Sequence, residues 1–254
     1  MSRGRVAICT PSWERPTDAY LAALEASVPA LDAAGWEHHA AFEVTNPYIS
    51  AARASMLGKA LDWGADVVVF IDDDVSWEPQ DLVKLLDTEG EVVGGNYRYK
   101  TEEEVRFMGK PILGETFKPI VRESDGAVQM MAVPAGFLKI DAHAVIQRFL
   151  EWYPHLRMNW TSKKPNVDLF NHGVFNGTWF GEDFAFCRNW MGTGGDIWCP
   201  PDMNLTHNAR GYYAKDKATG EVKWTPEKPY PSNYHRYLLS YKPKPEDGEA
   251  KMAA

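Results

Sequence analysis

Along the first hundred residues, apolar segments with the length of strands alternate with segments whose apolar residues recur at helical spacing. The strand-like segments are 5–10, 36–43, 66–71 and 91–97. The first helical segment carries Leu21, Leu24, Val28 and Leu31 on one stripe. Because parallel strands are joined by crossover helices, this alternation predicts an α/β fold with a mostly parallel central sheet covered by helices on both faces.

Proline and glycine residues set the expected helix boundaries. Pro29 predicts a kink or an early end of the first helix. Asn46 followed by Pro47 is a favourable start for the second helix, a capping side chain and then proline at the first helical position. We expect that helix to end near Gly64 and a third helix over 79–86.

The pattern changes after Tyr99. Short strand-like pieces, including 118–122 and 127–133, are separated by Gly and Pro, which predicts a smaller part with mixed or antiparallel structure. Helices are expected over 141–152 and 181–191. From Gly211 onward the chain is rich in Pro, Lys and Tyr with little periodicity, so we expect a loop-like extension docked on the body, over 208–254.

Composition limits the class of protein. With 254 residues, 44% of them hydrophobic and 24% charged, the chain is expected to fold around a substantial core rather than remain disordered. The longest aliphatic stretch, 67–71, is too short for a membrane span, and no signal peptide is recognisable, so a cytoplasmic protein is expected. The three cysteines form no CxxC pair, which favours buried thiols over disulfides or a zinc site.

Charge is unevenly distributed along the chain. The net charge is −8, yet between residues 208 and 244 eight Lys and Arg residues stand against three acids. An acidic body therefore carries a basic extension. Nucleic acid would be repelled by the body and would have to approach the extension.

Three consecutive aspartates, Asp72, Asp73 and Asp74, directly follow the apolar strand 67–71. The carboxyl ends of parallel strands are where α/β proteins bind ligands. Three clustered carboxylates repel one another unless a cation lies among them, and oxygen ligands favour Mg²⁺ or Mn²⁺. The alternative is a solvated acidic turn before the helix 79–86.

Several motifs resemble those of glycosyltransferases with the A-type nucleotide-sugar fold. Asp72-Asp73-Asp74 resembles the Asp-x-Asp motif of that family. The other matching segments, in the family's order, are the opening strand 6–11 with Arg15, Asn46 with Ala52-Arg53, Gly136-Phe137-Leu138, Gly181-Glu182-Asp183 and Leu205-Thr206-His207. They span about residues 5–207, and the chain looks closest to small phage-encoded members, some of which glycosylate hydroxymethylated DNA bases.

The resemblance implies a nucleotide-sugar-binding half (1–98) and an acceptor half (99–207). It implies that Asp74 and His207 hold Mn²⁺ or Mg²⁺ against the donor diphosphate, with Asp72 facing the metal or the ribose. The other residues expected around the donor are Thr10, Pro11, Arg15, Glu43, Arg53 and Asp73. For Arg15 and Arg53, a solvated or salt-bridged arginine is the alternative to a phosphate contact.

Asp183 lies in the first turn of the helix predicted over 181–191, next to Glu182. In an inverting enzyme Asp183 would be the general base for the acceptor hydroxyl, and Glu182 would help to position the acceptor or the base. If the enzyme retains configuration, Asp183 would be a binding residue only. The structural alternative is an acid placed favourably on the helix dipole.

Two aromatic groups have alternative interpretations. One group could form a platform for a sugar or a base, or simply pack in the core: Trp160, Phe170, His172, Phe175 and Trp179. The extension interleaves cations with aromatic residues, a pattern that suits DNA phosphates and stacked bases. It could equally cover the donor site.

These observations favour a metal-dependent glycosyltransferase that uses a nucleoside-diphosphate sugar, preferably a UDP-sugar. The acceptor would be 5-hydroxymethylcytosine in phage DNA, which would place the enzyme in the host cytoplasm, or a saccharide or glycan. No membrane and no obligate protein partner is indicated. A nucleotidyl- or phosphoryl-transferring enzyme is less favoured because the chain has no GxxxxGK[ST] loop. A non-catalytic sugar- or nucleic-acid-binding module of the same fold is the remaining alternative.

Overall fold

A computed structural model describes residues 3–44, 46–158 and 166–240 of the chain. Trp160 and the extension beyond residue 240 lie outside these ranges. In chain order the elements are β1 (Gly4–Ser12), α1 (Asp18–Ala33), β2 (Trp36–Val44), α2 (Ile49–Trp63), β3 (Val67–Ile71), β4 (Val75–Ser76), α3 (Pro79–Asp87), β5 (Val92–Gly94), β6 (Lys110–Pro111), β7 (Val128–Ala132), β8 (Phe137–Asp141), α4 (Ala142–Trp152), a 3-10 turn (Pro154–Leu156), β9 (Arg157–Met158), β10 (Asn166–Val167), β11 (Gly173–Phe175), β12 (Thr178–Phe180), α5 (Glu182–Gly192), β13 (Ile197–Cys199), β14 (Asn204–Ala209), β15 (Tyr212–Lys215), β16 (Val222–Thr225), β17 (Lys228–Asn233) and α6 (Tyr234–Ser240).

The central sheet has eight strands in the order β2-β1-β3-β8-β5-β13-β7-β6. β1 pairs in parallel with β2 and β3, and β5 pairs in parallel with β13. β8 and β7 run against their neighbours, so six of the eight strands share one direction. The predicted α/β class with a mostly parallel sheet is confirmed, although β5 does not lie beside β3 because β8 is inserted between them.

Helices cover both faces of the sheet. On β1 and β3, alternate side chains point to opposite faces, and each set joins a separate apolar cluster. One cluster packs the sheet against α1 and α3, through residues such as Tyr20 and Leu82. The other packs it against α2, α4 and α5, where Phe186 and Trp190 both stack on Phe149.

Two helix boundaries differ from the sequence prediction. α1 continues through Pro29 to Ala33. An internal proline costs about 3 kcal/mol, and complete burial of Leu31 beyond it offsets much of that with about 1.5–3 kcal/mol. α2 begins at Ile49 rather than at Pro47, because the Asn46 side chain accepts a hydrogen bond from the Tyr48 N–H at 3.1 Å and forms a turn ahead of the helix. Its end at Gly64, in the left-handed region with φ of 90°, is as predicted.

The second half also departs from expectation in two places. Residues 118–122 form isolated bridges rather than a strand, and Ile120 and Val121 are exposed, so little apolar burial favours regular pairing there. The extension is not loop-like as far as residue 240. β15 and β16 form a hairpin, and β17 pairs with β14 in a small sheet that also contains β4. Tyr230 and Tyr234 are buried, which fixes this part of the extension on the body.

No helix among the described residues is long and apolar enough to cross a membrane.

Candidate active site

The three aspartates form a tight turn between β3 and β4. The Asp72 N–H donates to the Gly136 carbonyl at 3.1 Å, and the Asp72 carbonyl accepts from the Val75 N–H at 3.0 Å. The Asp73 carbonyl accepts from the backbone N–H and the hydroxyl of Thr17, the N-cap of α1. Because backbone bonds anchor this turn on two sides, the three carboxylates are held at the end of the sheet.

Each aspartate has its own cationic partner. Arg53 donates to Asp72, with Nη2 and Oδ1 2.8 Å apart. Asp73 pairs with Arg210 and also accepts from the Ser12 hydroxyl. Asp74 pairs with Lys100.

Arg53 links the aspartates to α5. It is 1% exposed, and its Nη1 donates to Glu182 Oε1 at 2.9 Å. Burial would lower the pKa of Arg53, but Asp72 and Glu182 raise it above its ordinary value, so the guanidinium stays charged. Burial raises the pKa of Asp72, and Arg53 opposes that shift.

Asp74 meets His207, as the motif order implied. β14 pairs with β4 so that His207 lies opposite Val75, and His207 Nε2 is 3.6 Å from Asp74 Oδ1. His207 Nδ1 lies 3.0 Å from the Arg98 carbonyl, which can only accept a hydrogen bond. Nδ1 is therefore the donor to Arg98, and Nε2 is the ring nitrogen that faces Asp74. Burial acts to raise the pKa of Asp74, but His207 and Lys100 lower it overall.

This pair fits one edge of a divalent-metal site, because a carboxylate oxygen and an imidazole nitrogen are both ligands of Mn²⁺. Among the described residues, no group of three or more His, Cys, Asp and Glu side chains converges as a metal site. Asp72 does not join the pair, because its Oδ1 is bound by Arg53. Only the other carboxylate oxygen of Asp72 could then reach a metal, and the expectation that Asp72 is also a ligand stays a prediction.

Asp183 lies in the first turn of α5. Its Oδ1 accepts from the Phe184 N–H at 2.7 Å, and among the described residues it has no ion-pair partner. Burial, reinforced by the adjacent Glu182 carboxylate, raises its pKa to about 6. A carboxyl with that pKa changes charge close to neutral pH, as a general base must.

A cleft of about 340 Å³ opens beside the aspartates. It is lined by Pro11, Ser12, Trp13, Asn46, Pro47, Ile49, Ala52, Asp72, Asp73, Asp74 and Arg210. The cleft is thus surrounded by the end of β1, the start of α2, the acidic turn and the residue that follows β14. The predicted donor residues Pro11 and Asp73 lie on its wall.

Four other predicted donor residues lie outside this lining. Thr10 is fully buried, and its hydroxyl is hydrogen-bonded to that of Tyr20. Arg15 is exposed and paired with Asp18, and Glu43 is paired with Lys59. Arg53 is enclosed between two carboxylates. None of the four side chains lines the cleft in this geometry, and the expectation that they bind the donor stays a prediction.

Sequence reasoning missed four residues at the site: Trp13, Tyr97, Lys100 and Arg210. Trp13 is 61% exposed on the cleft wall. Tyr97 is buried beside His207, with ring centroids 4.9 Å apart. A signal was present only for Arg210, three residues after the predicted ligand His207. Lys100 reaches Asp74 through tertiary structure alone.

The predicted aromatic platform is divided by the fold. Phe170 is buried under the Arg53 guanidinium, which lies 5.1 Å from its ring, so it belongs to the core. Phe175 and Trp179 are exposed on the hairpin β11–β12, directly before α5, and His172 packs on Trp179. Asn176 and Gly177 form the hairpin turn, both with positive φ.

A search against protein-family models finds no match for this chain, and a search of curated protein sequences finds none either. Among solved structures, the chain is similar to the catalytic domain of Drosophila β1,4-galactosyltransferase 7 in complex with xylobiose: TM-score 0.42 and 14% identity, over 78% of this chain and 65% of that one. A mutant of the Drosophila enzyme in complex with manganese, UDP-Gal and xylobiose gives a TM-score of 0.42 and 12% identity, over 97% of this chain and 79% of that one. This chain thus spans slightly less than two thirds of the first of these structures.

Proposed function

We propose that this protein is a metal-dependent glycosyltransferase that moves a sugar from a nucleoside diphosphate to an acceptor hydroxyl. One observation carries the proposal. At the end of the sheet, Asp72, Asp73, Asp74 and Glu182 are each paired with a cationic side chain, whereas Asp183 has no such partner among the described residues and has a raised pKa. An acid without a cationic partner is available to remove a proton from an acceptor. The carboxylates of the acidic turn are neutralised by their cationic partners, so they repel a bound diphosphate less.

Asp74 and His207 are the residues that would hold the cation. When bound there, Mn²⁺ or Mg²⁺ would supply positive charge that offsets the charge developing on the diphosphate. Arg98 supports this arrangement, because its carbonyl fixes the tautomer of His207. Asp72 orients neighbouring groups through Arg53.

The reaction is a single displacement in this proposal. The Asp183 carboxylate takes the proton of the acceptor hydroxyl as that oxygen attacks the anomeric carbon. The bond between that carbon and the diphosphate oxygen breaks, and the nucleoside diphosphate leaves with the electron pair. One base and one displacement invert the configuration at the anomeric carbon. Glu182 positions Asp183 through the first turn of α5.

The donor and acceptor occupy different sides of the site. The cleft beside Trp13 and the acidic turn suits a nucleoside diphosphate, and we favour a UDP-hexose. The exposed hairpin β11–β12, with Trp179 next to α5, offers a stacking surface for an acceptor sugar. The hairpin β15–β16 exposes Tyr213 and Trp224 beside lysines, a pattern that suits stacked bases and phosphates, so we keep 5-hydroxymethylcytosine in DNA as the alternative acceptor.

Donor turnover tests the proposal. UDP-, GDP- and CDP-sugars are incubated with Mn²⁺, Mg²⁺ or chelator, and with simple saccharides or hydroxymethylcytosine DNA, and the released nucleotide and product mass are measured. We expect metal-dependent release of a nucleoside diphosphate that stops in Asp74→Ala and Asp183→Asn. Glu151→Gln, an exposed acid on α4, is the matched control. Release of a sugar phosphate, with the nucleoside monophosphate found on the acceptor, would indicate nucleotidyl chemistry, and absence of any turnover would favour a binding module.

A further inference from the structure

Arg53 occupies an unusual position for an arginine beside a cleft that is proposed to bind a diphosphate. Its side chain is 1% exposed, on the face of α2 that packs under the sheet. Its two terminal nitrogens donate to two different carboxylates, Asp72 at 2.8 Å and Glu182 at 2.9 Å. The Phe170 ring covers one side of the guanidinium, so a donor phosphate has no access to it.

The contacts of Arg53 join three separate segments of the chain. Asp72 follows β3, Arg53 lies on α2, and Glu182 begins α5, 129 residues further along the chain than Arg53. Among the described residues, Arg53 is the only hydrogen-bond partner of the Glu182 carboxylate. The N-cap of α5 is Gly181, which offers no side-chain cap. The ion pair with Arg53 is therefore the polar side-chain contact that ties the first turn of α5 to Asp72.

The chemistry of the guanidinium suits this task. The two terminal nitrogens of the planar guanidinium can each bind a different carboxylate. The lysine side chain is shorter, and its ammonium group concentrates the charge at a single atom. Arg53 Nε is buried without a hydrogen-bond partner. The side-chain hydrogen bonds that Arg53 makes therefore go to Asp72 and Glu182. The charge of Arg53 also lowers the pKa of Asp183, against the stronger upward effects of burial and Glu182.

We propose that Arg53 is a positioning residue that holds the Glu182-Asp183 turn of α5 at a fixed place relative to Asp72, so that the Asp183 carboxylate faces the acceptor hydroxyl. This inference rests on the proposed function. Arg53 does not touch the donor, the acceptor or the reacting atoms. Its loss should reduce the rate of transfer without reducing donor affinity.

The test compares Arg53→Lys and Glu182→Gln with the wild type. Each variant is measured for kcat, for the KM of donor and acceptor, and for nucleoside-diphosphate affinity by calorimetry in the presence of Mn²⁺. We expect kcat to fall about 100-fold, as a displacement of about 1 Å can produce, while nucleotide affinity stays within about 2-fold. Arg148→Lys is the matched control, because Arg148 pairs with Glu91 and stacks on Trp190 away from the cleft.

Two results would overturn the inference. An equal loss of kcat and nucleotide affinity in Arg53→Lys would mean that Arg53 acts on the donor. Unchanged kcat in a folded Glu182→Gln variant, whose amide oxygen can still accept from Arg53, would mean that the charge pairing of Arg53 with Glu182 does not position Asp183. If Arg53→Lys does not fold, Glu182→Gln still decides the question, because Glu182 is partly exposed and its amide retains the size of the carboxylate.

A measurement without substrate separates this inference from the proposed function. Carboxyl NMR titration reports the pKa of Asp183 in the free protein. We expect a higher pKa in Arg53→Lys than in the wild type, because the charge that lowers it has moved away, and no change in Arg148→Lys. If the wild type turns over no donor but this difference appears, the proposed function fails and the positioning of Asp183 by Arg53 stands; an unchanged titration would refute the positioning itself.

Discussion

Replacing Asp183 by asparagine should abolish transfer and stabilise the fold at neutral pH. The pKa of Asp183 is raised from 3.8 to about 6, first by burial and then by Glu182. Below pH 3.8 the carboxyl is neutral in both the folded and the unfolded chain. Between 3.8 and about 6 the unfolded chain loses a proton that the folded protein retains, so the free energy of unfolding falls as the pH rises.

The size of this effect follows from the same values. One pH unit corresponds to 1.36 kcal/mol, so a difference of about two units destabilises the wild type by up to about 3 kcal/mol above pH 6. Asparagine carries no charge and can still accept the Phe184 N–H bond. We therefore expect Asp183→Asn to be more stable than the wild type by about 1–3 kcal/mol at pH 8.

Urea unfolding at pH 4 and pH 8 measures this difference. The stabilisation should be present at pH 8 and nearly absent at pH 4, and Glu151→Gln should change neither value by more than about 0.5 kcal/mol. In the wild type, kcat/KM should fall about tenfold per pH unit below pH 6, since only the ionised form of Asp183 in the free enzyme accepts a proton. A variant that is no more stable at pH 8, or equally stabilised at both pH values, would refute the argument from burial.

Three further outcomes are expected. Gly136→Ala would place a Cβ too close to the Tyr97 hydroxyl and to Asp72 Oδ2. Thermal unfolding should therefore show a loss of about 1–3 kcal/mol in the free energy of unfolding, and transfer should be impaired. An unchanged melting temperature would contradict this close packing. His207→Gln should weaken Mn²⁺ binding measured by calorimetry about 10–100-fold, and unchanged affinity would remove His207 from the metal site. Trp179→Ala should raise the KM of the acceptor but not that of the donor, whereas the reverse would place the hairpin β11–β12 on the donor side.

The sequence predicted the parts of the fold that depend on local pattern. The strand 67–71 and its three aspartates were identified because a short β-branched run followed by acids has few other interpretations. Gly64 ends α2 as predicted, because its left-handed conformation is a local preference of glycine. The position of β8 between β3 and β5 was not predictable, since strand pairing is decided by long-range contacts.

The candidate site was predicted in part for the same reason. Asp74 and His207 were expected to meet, and the register of β14 on β4 brings them together. Arg53 was expected near phosphate, but the tertiary packing of α2 and α5 encloses it between Asp72 and Glu182. Tyr97 ends the strand-like segment 91–97, and Lys100 lies just beyond Tyr99, where the pattern changes, so no local signal linked either residue to the acidic turn.

The inserted strand β8 also dictates when this fold can be completed. β3 ends at residue 71 and β5 at residue 94, but the strand that joins them spans 137–141. Until that segment leaves the ribosome, β3 and β5 each expose an unpaired apolar edge, and such edges promote aggregation. Severing the chain near residue 98 should consequently yield a first fragment that is insoluble alone and becomes soluble when it is co-expressed with the remainder.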